Sequence, residues 1–290
     1  MTDRLSEISG RIESIRQLNS VVGAMTGIAS ARARTARAQI AAVDRYAATV
    51  AAAMGRVSPE KSGDARGPKP PPGKLALVVF CAEQGFVGAF SERVLDFAGA
   101  DLATADIFVI GTRGAATAAE RGIVPLWQAG LPSHSASIPK FADRLVRVVL
   151  DHIASGNTSA LAAIHTVWRA GGPHLRRRVL FPAEPAPRSG SGVSTPLTNL
   201  PAQALLEDLG ADYLHAQLCN AALHAFASEN EARMSVMTSA QAQIGRELGV
   251  LEATQRRVRQ EAITAEIIEI AAGDMASRHS KQAGSGKLSP

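Results

Sequence analysis

Between residues 3 and 56 the chain has no proline. Apolar or small residues recur there at Leu5, Ile8, Ile12, Ile15, Val22, Met25, Ala29, Ala36, Ile40, Val43, Ala47, Val50 and Met54. Most steps alternate between three and four, the spacing of a coiled-coil seam. A helix of ~50 residues at about 1.5 Å each would run roughly 75 Å, longer than a small domain is wide, so part of it must project. Proline is absent again from about Ala202 to Met275, where a helix of ~70 residues would reach roughly 105 Å.

The middle of the chain has a different pattern. Leu75 to Phe80 is a short, wholly apolar run and reads as a buried strand. Gly85 to Gly88 reads as a turn, and Ala89 to Leu102 as a helix. Asp106 to Ile110 is a second strand, followed by a turn at Gly111 to Gly114 and a helix over Ala115 to Arg121. Phe141 to Ala154 has helical spacing, and Leu161 to Trp168 and Arg178 to Phe181 read as further strands. Strands alternating with helices predict a small α/β domain with a mainly parallel sheet.

Proline and glycine mark the borders. The predicted organisation is an N-terminal helix over 1–57, a linker over 58–73, an α/β domain over 74–183, a second linker over 184–202, a C-terminal helix over 203–276 and a disordered tail over 277–290. Two long helices joined through a compact insert most simply pair antiparallel. The fold class is therefore α/β: a long antiparallel coiled coil of the terminal helices with an inserted Rossmann-like domain.

Composition narrows the picture. Hydrophobic residues make up 46% of the chain and aromatics only 4%, which favours slim helices over one bulky core. The net charge of +5 is compatible with nucleic acid, anionic lipid or an acidic protein as partner. Cys81 and Cys219 lie far apart, outside any CxxC or Cys/His spacing, and read as small buried apolar residues. The polar start Met1-Thr2-Asp3-Arg4 does not read as a signal peptide. The run Leu75 to Cys81 falls far short of the ~20 residues that span a bilayer. A soluble protein, or one peripheral to a membrane, is expected.

Enzyme signatures are missing from the sequence. Gly111-Thr112-Arg113-Gly114 follows a strand but lacks the spacing of a phosphate-binding loop. His165 and His174 have no companions at metal-ligand spacing. No catalytic residue, cofactor or metal site is therefore expected. A basic hairpin binding nucleic acid draws on Arg32, Arg34 and Arg37 and on Arg176-Arg177-Arg178, yet aromatics suited to base stacking are nearly absent from both.

The ends of the chain carry a resemblance. Ala227-Ser228-Glu229-Asn230-Glu231-Ala232-Arg233-Met234-Ser235-Val236-Met237 resembles the pattern ASE-x-x-ARM-x-AM of the gamma subunits of F-type ATP synthases. Arg257 to Ile270 resembles their RARQ-x-xIT-x-EI-x-EI block. Arg11-Ile12-x-x-Ile15 and Ala24-Met25-x-x-Ile28-Ala29-x-Ala31-Arg32 are similar to the N-terminal motifs RI-x-x-I and AM-x-x-VA-x-AK. Glu83 to Gly88 stands where the family has a DRGLCG-like turn, and Ile110 to Gly114 fits its IG-x-x-G strand end. The departures include Gln84 and Val87 for the usual Arg and Cys, Thr238-Ser239 for an acid/amide pair and Gln255-Arg256 for an aromatic/amide pair. They point to a divergent member, such as a second F-type enzyme of its cell.

The resemblance implies a rotor shaft that does no chemistry itself. It would turn within a ring of alpha and beta subunits, with its foot on the epsilon subunit and the membrane c-ring, at the cytoplasmic face of a bacterial membrane. Nucleic acid is not an implied partner, and the chain is not itself inserted in the membrane. By alignment, rotor-stator contacts are implied for Met25, Arg32, Arg233, Arg259, Gln260, Thr264 and Glu266. A core methionine at Met25 and solvated helix charges at Arg32 and Arg233 are the competing readings. Carrying over the family's pairing of the Met25 and Arg233 regions gives facing residues whose numbers add to about 258. The first helix then ends opposite residue ~253. Gly10 would lie near Gly249, Gly23 near residues 234–236, and residues from about 258 to 275 would form a lone helix with an apolar stripe at Ile263, Ile267 and Ile270.

Overall fold

The computed structural model describes residues 2–58, 73–156, 158–182 and 197–285. Most of both expected linkers lies outside these residues. The element order is α1 (Thr2–Val57), β1 (Lys74–Phe80), α2 (Phe90–Ala98), α3 (Asp101–Thr104), β2 (Asp106–Ile110), α4 (Thr112–Glu120), β3 (Trp127–Ala129), a 3-10 turn (Ser135–Ser137), α5 (Ile138–Ala154), β4 (Thr158–Arg169), β5 (Gly172–Phe181) and α6 (Ala202–Ser285). The chain divides into two compact units, residues 1–25 with 237–290, and residues 26–236. Both borders fall inside the long helices.

In the first unit the start of α1 packs antiparallel on the later part of α6. Ile12, Val22 and Val258 are buried in the seam. Arg16 donates to Glu252 at 2.8 Å, Arg11 to Glu247 at 3.4 Å, and Gln255 to the hydroxyl of Ser9 at 2.9 Å. Gln255 facing Ser9 sets the register about six residues further along α6 than the carried-over pairing predicts. The pairing therefore extends to Val258, which is only 2% exposed. The expected neighbour of Gly23 is corrected too: a Cβ there would meet the Gln241 amide at 3.2 Å. Gly10 and Gly249 have open space around them, so close helix approach does not explain either. Helix α6 also continues through residues 277–285, which the sequence reads as a disordered tail. Residues 276–283 contain neither proline nor glycine, and nothing in that stretch stops the helical ladder.

The second unit is built on a five-stranded sheet in the order β3-β2-β1-β4-β5. β1 pairs parallel with β2 and β4, β2 parallel with β3, and β4 antiparallel with β5. One face carries Ala76, Val78, Phe80, Phe108 and Ile110 against α5 and against Leu218, Ala222 and Phe226 of α6. The other carries Leu77, Val79, Val109 and Ile164 against Val94 and Leu95 of α2 and Ala118 of α4. Covering both faces explains the unbroken apolar run of β1. Within this unit α1 presents the slim seam Ala29, Ala33, Ala36, Ala47, Val50 and Met54, all buried.

Two glycines set local geometry. Gly99, at φ +53°, ends α2 and splits the single helix expected over 89–102. Gly111, at φ +110°, lets β2 turn into α4, and a Cβ there would lie 2.6 Å from the Ala82 carbonyl oxygen.

Candidate functional site

The later part of the first unit is an exposed helix. Arg259, Gln260, Thr264 and Glu266 all face solvent there. Thr264 bonds back to the Gln260 carbonyl at 2.9 Å, an i−4 contact that leaves the side chains outward. Interleaved with them, Ile263, Ile267, Ile268 and Ile270 are 51%, 61%, 63% and 66% exposed. Nothing among the described residues covers these isoleucines. Met25, also in this unit, is half-buried, so its side chain is partly in the seam and partly accessible.

The second unit holds a buried polar cluster. The Glu229 carboxylate accepts the backbone N–H groups of Glu83 at 2.9 Å and Gln84 at 3.1 Å. Arg233, one turn further along α6, donates to Glu229 at 2.6 Å, to Asn230 Oδ1 at 3.1 Å and to the Gly85 carbonyl at 3.2 Å. Three consecutive residues of the turn after β1 are thus bonded to two side chains of α6. The side chains of Glu229 and Arg233 are 4% and 7% exposed, so the ion pair is taken out of water. It stands because hydrogen bonds satisfy the remaining polar atoms.

Glu83 extends the cluster across the ends of the parallel strands. Its carboxylate accepts the Thr112 N–H and hydroxyl, both at 2.9 Å, and the Leu131 N–H at 2.8 Å. These donors lie at the first turn of α4 and just beyond β3, the part of an open α/β sheet where ligands of doubly wound folds sit. Here the chain fills that position with its own carboxylate. Arg32 lines the same small crevice as Glu83, Gln84, Glu229 and Arg233. On the same helix, Arg37 pairs with Glu231.

The reading of Arg233 as a solvated helix charge is therefore overturned: its guanidinium is buried and bonded within the chain. The structure brings Arg32 and Arg233 together in one crevice and groups Arg259, Gln260, Thr264 and Glu266 on the end of α6. Sequence reasoning missed Glu83 and Glu229. The signal for Glu229 was in plain view, an acid four residues before an arginine on one helix face. Glu83 had none, since its partners lie 29 and 48 positions away.

Both thiols are inert in this setting. Burial pushes Cys81 up to about 12 and Cys219 up to about 11. Among the described residues no group of three or more His, Cys, Asp or Glu side chains could hold a metal ion. No helix among them is long and apolar enough to cross a membrane.

A family model described as ATP synthase matches residues 4–276. The chain belongs to the ATP synthase family. Curated relatives agree in kind. The ATP synthase gamma chain of Frankia casuarinae is 27% identical, over 94% of this chain and 97% of the relative. That of Geotalea daltonii is 26% identical, over 93% and 97%. Among solved structures, the rotor of the Euglena gracilis mitochondrial ATP synthase covers 91% of this chain and 100% of its own, with a TM-score of 0.62 at 15% identity. A chain of the Tetrahymena thermophila central stalk and c-ring assembly gives 0.55 at 14% identity, over 76% and 99%. This family member thus shares the fold of those chains, with a small α/β domain between long terminal helices in the sequence.

Proposed function

We propose that the chain is the gamma subunit of an F-type ATP synthase, a rotor stalk that couples transmembrane ion flow to ATP synthesis or hydrolysis and performs no catalysis alone. The observation that carries this is the bare isoleucine stripe of α6. Ile263, Ile267 and Ile270 are more than half exposed, and isolated helices of this length are marginal in water. A surrounding protein socket supplies the cover that the described residues do not.

In this reading the socket is a ring of alpha and beta subunits. The α/β domain meets the epsilon subunit and the c-ring at the cytoplasmic face of a bacterial membrane. Arg259, Gln260, Thr264 and Glu266 form exposed polar contacts with the ring as the shaft turns, and Met25 and Arg32 contribute from α1. Exposed ion pairs are worth only ~0–1 kcal/mol each, which suits contacts that must form and break repeatedly. Arg233 acts differently, by holding the 83–85 turn to α6.

Affinity purification of a tagged chain from its native cell tests this. Alpha, beta and epsilon subunits in the eluate, with ATP hydrolysis by the complex and none by the isolated chain, is the expected result. Isolation as a lone protein, or with nucleic acid, would overturn the reading.

A further inference from the structure

The β4–β5 hairpin carries positive charge that the described residues do not neutralise. β5 contains Arg176, Arg177 and Arg178 in succession. Arg177 pairs with Asp101. Arg176 and Arg178, on the opposite face of the strand, have no hydrogen-bond or ion-pair partner among the described residues. Arg176 stands opposite His165 in the ladder. His165 is 2% exposed, and both its ring nitrogens are without partners. Its ring stacks on His224 of α6, centroids 5.6 Å apart. Burial is the main cause disfavouring the charged form of both histidines; Arg176 and Arg178 add to it, joined by Arg169 at His224. Asp44 is the carboxylate that opposes them at His224, and it already accepts the Asn220 amide at 2.7 Å. Positive charge is thus collected here around one carboxylate.

The backbone adds a second, independent observation. β5 is an edge strand of ten residues. Its outward side makes no backbone hydrogen bond among the described residues. Val179 is 62% exposed and Phe181 37%. A long edge with bare apolar side chains is a pairing template that proteins ordinarily shield. Among the described residues arginines are its guard, and an acidic strand would convert that guard into attraction.

We infer that the outer edge of β5 takes an extended acidic segment of a neighbouring subunit, which adds as a strand and sets its carboxylates against Arg176 and Arg178. This rests on the reading of the chain as one subunit of a larger assembly. Strand addition supplies affinity through main-chain bonds, and the charges fix register and exclude neutral sequences. A lipid headgroup could meet the arginines but, lacking the alternating N–H and C=O groups of a strand, could not continue the ladder.

Hydrogen exchange on the isolated chain and on the purified complex tests this. Amides of β5 on the outward side exchange freely in the isolated chain and slow roughly 100-fold in the complex. The double variant Arg176→Glu/Arg178→Glu keeps the circular dichroism and melting of the parent and is recruited about tenfold more weakly. β5 amides already protected in the isolated chain, or equally fast in the complex, would overturn the inference. So would unchanged recruitment of the double variant, or binding of the chain to vesicles of phosphatidylserine and phosphatidylcholine without β5 protection. If the chain enters no complex at all, it is the rotor reading that fails.

Discussion

Helix α6 is two different objects in the two units. From Ala216 through Arg233 nearly every residue is buried, polar ones included: Gln217, Asn220, Ser228, Glu229, Asn230, Glu231 and Arg233 are all under 9% exposed. From residue 261 to 275 only Ala262 is even half-covered. A helix buried all round belongs to a core, whereas one exposed all round with apolar residues on it awaits a partner. The contrast separates what the chain stabilises by itself from what it leaves for others to complete.

Truncation probes this contrast most directly. Deleting residues 259–290 should abolish or severely impair coupling of ATP hydrolysis to ion pumping in reconstituted membranes, while the α/β domain keeps its thermal transition. Collapse of the whole fold would show that the exposed end is not separable. Within the buried stretch, Arg233→Ala strands Glu229 without its ion partner and should cost about 3–5 kcal/mol in chemical denaturation. Leu218→Ala, at a fully buried position, should cost about 2–5 kcal/mol by the same assay.

Acid gives a smaller effect, again confined to the buried side. Burial, with His224, Arg176 and Arg178 close by, lowers His165 from 6.5 to about 3. The folded state holds it neutral while the unfolded chain protonates it below ~6.5. Its contribution is therefore intact above that pH and is lost as pH falls toward 3, at up to about 1.4 kcal/mol per pH unit. Melting temperatures between pH 7 and pH 5 should drop less steeply for His165→Leu than for the parent. Smallest of all, Ile267→Ser on the bare end should change stability by no more than about 0.5 kcal/mol. A large loss there would mean the stripe is already covered within the chain.

Much of this was legible in the sequence for a simple reason. Every seam residue read from the spacing of α1, from Leu5 to Met54, is buried or half-buried, because a three-four repeat leaves one face of a helix apolar whatever it packs on. β1, β2 and β4 were visible as apolar runs because helices cover both faces of the sheet. β3 was not, since Trp127–Ala129 is three residues long and too short for any period. The start of β5 was hidden by Gly172, Pro173 and three arginines, a composition that edge strands tolerate and central strands do not. The exposed positions 259, 260, 264 and 266 came from resemblance to a family block, whereas the Glu83 contacts depend on loops brought together only by the sheet. Register was the least legible quantity: the pairing of α1 with α6, carried over from the family, was off by about six residues, because helical periodicity alone does not fix which turns face each other.

The Glu83 carboxylate has one further consequence. Where a doubly wound domain would otherwise offer bare amides to a passing phosphate, this one meets it with a fixed negative charge. A phosphate or other anion approaching these strand ends would meet a carboxylate that already holds the amides it would need.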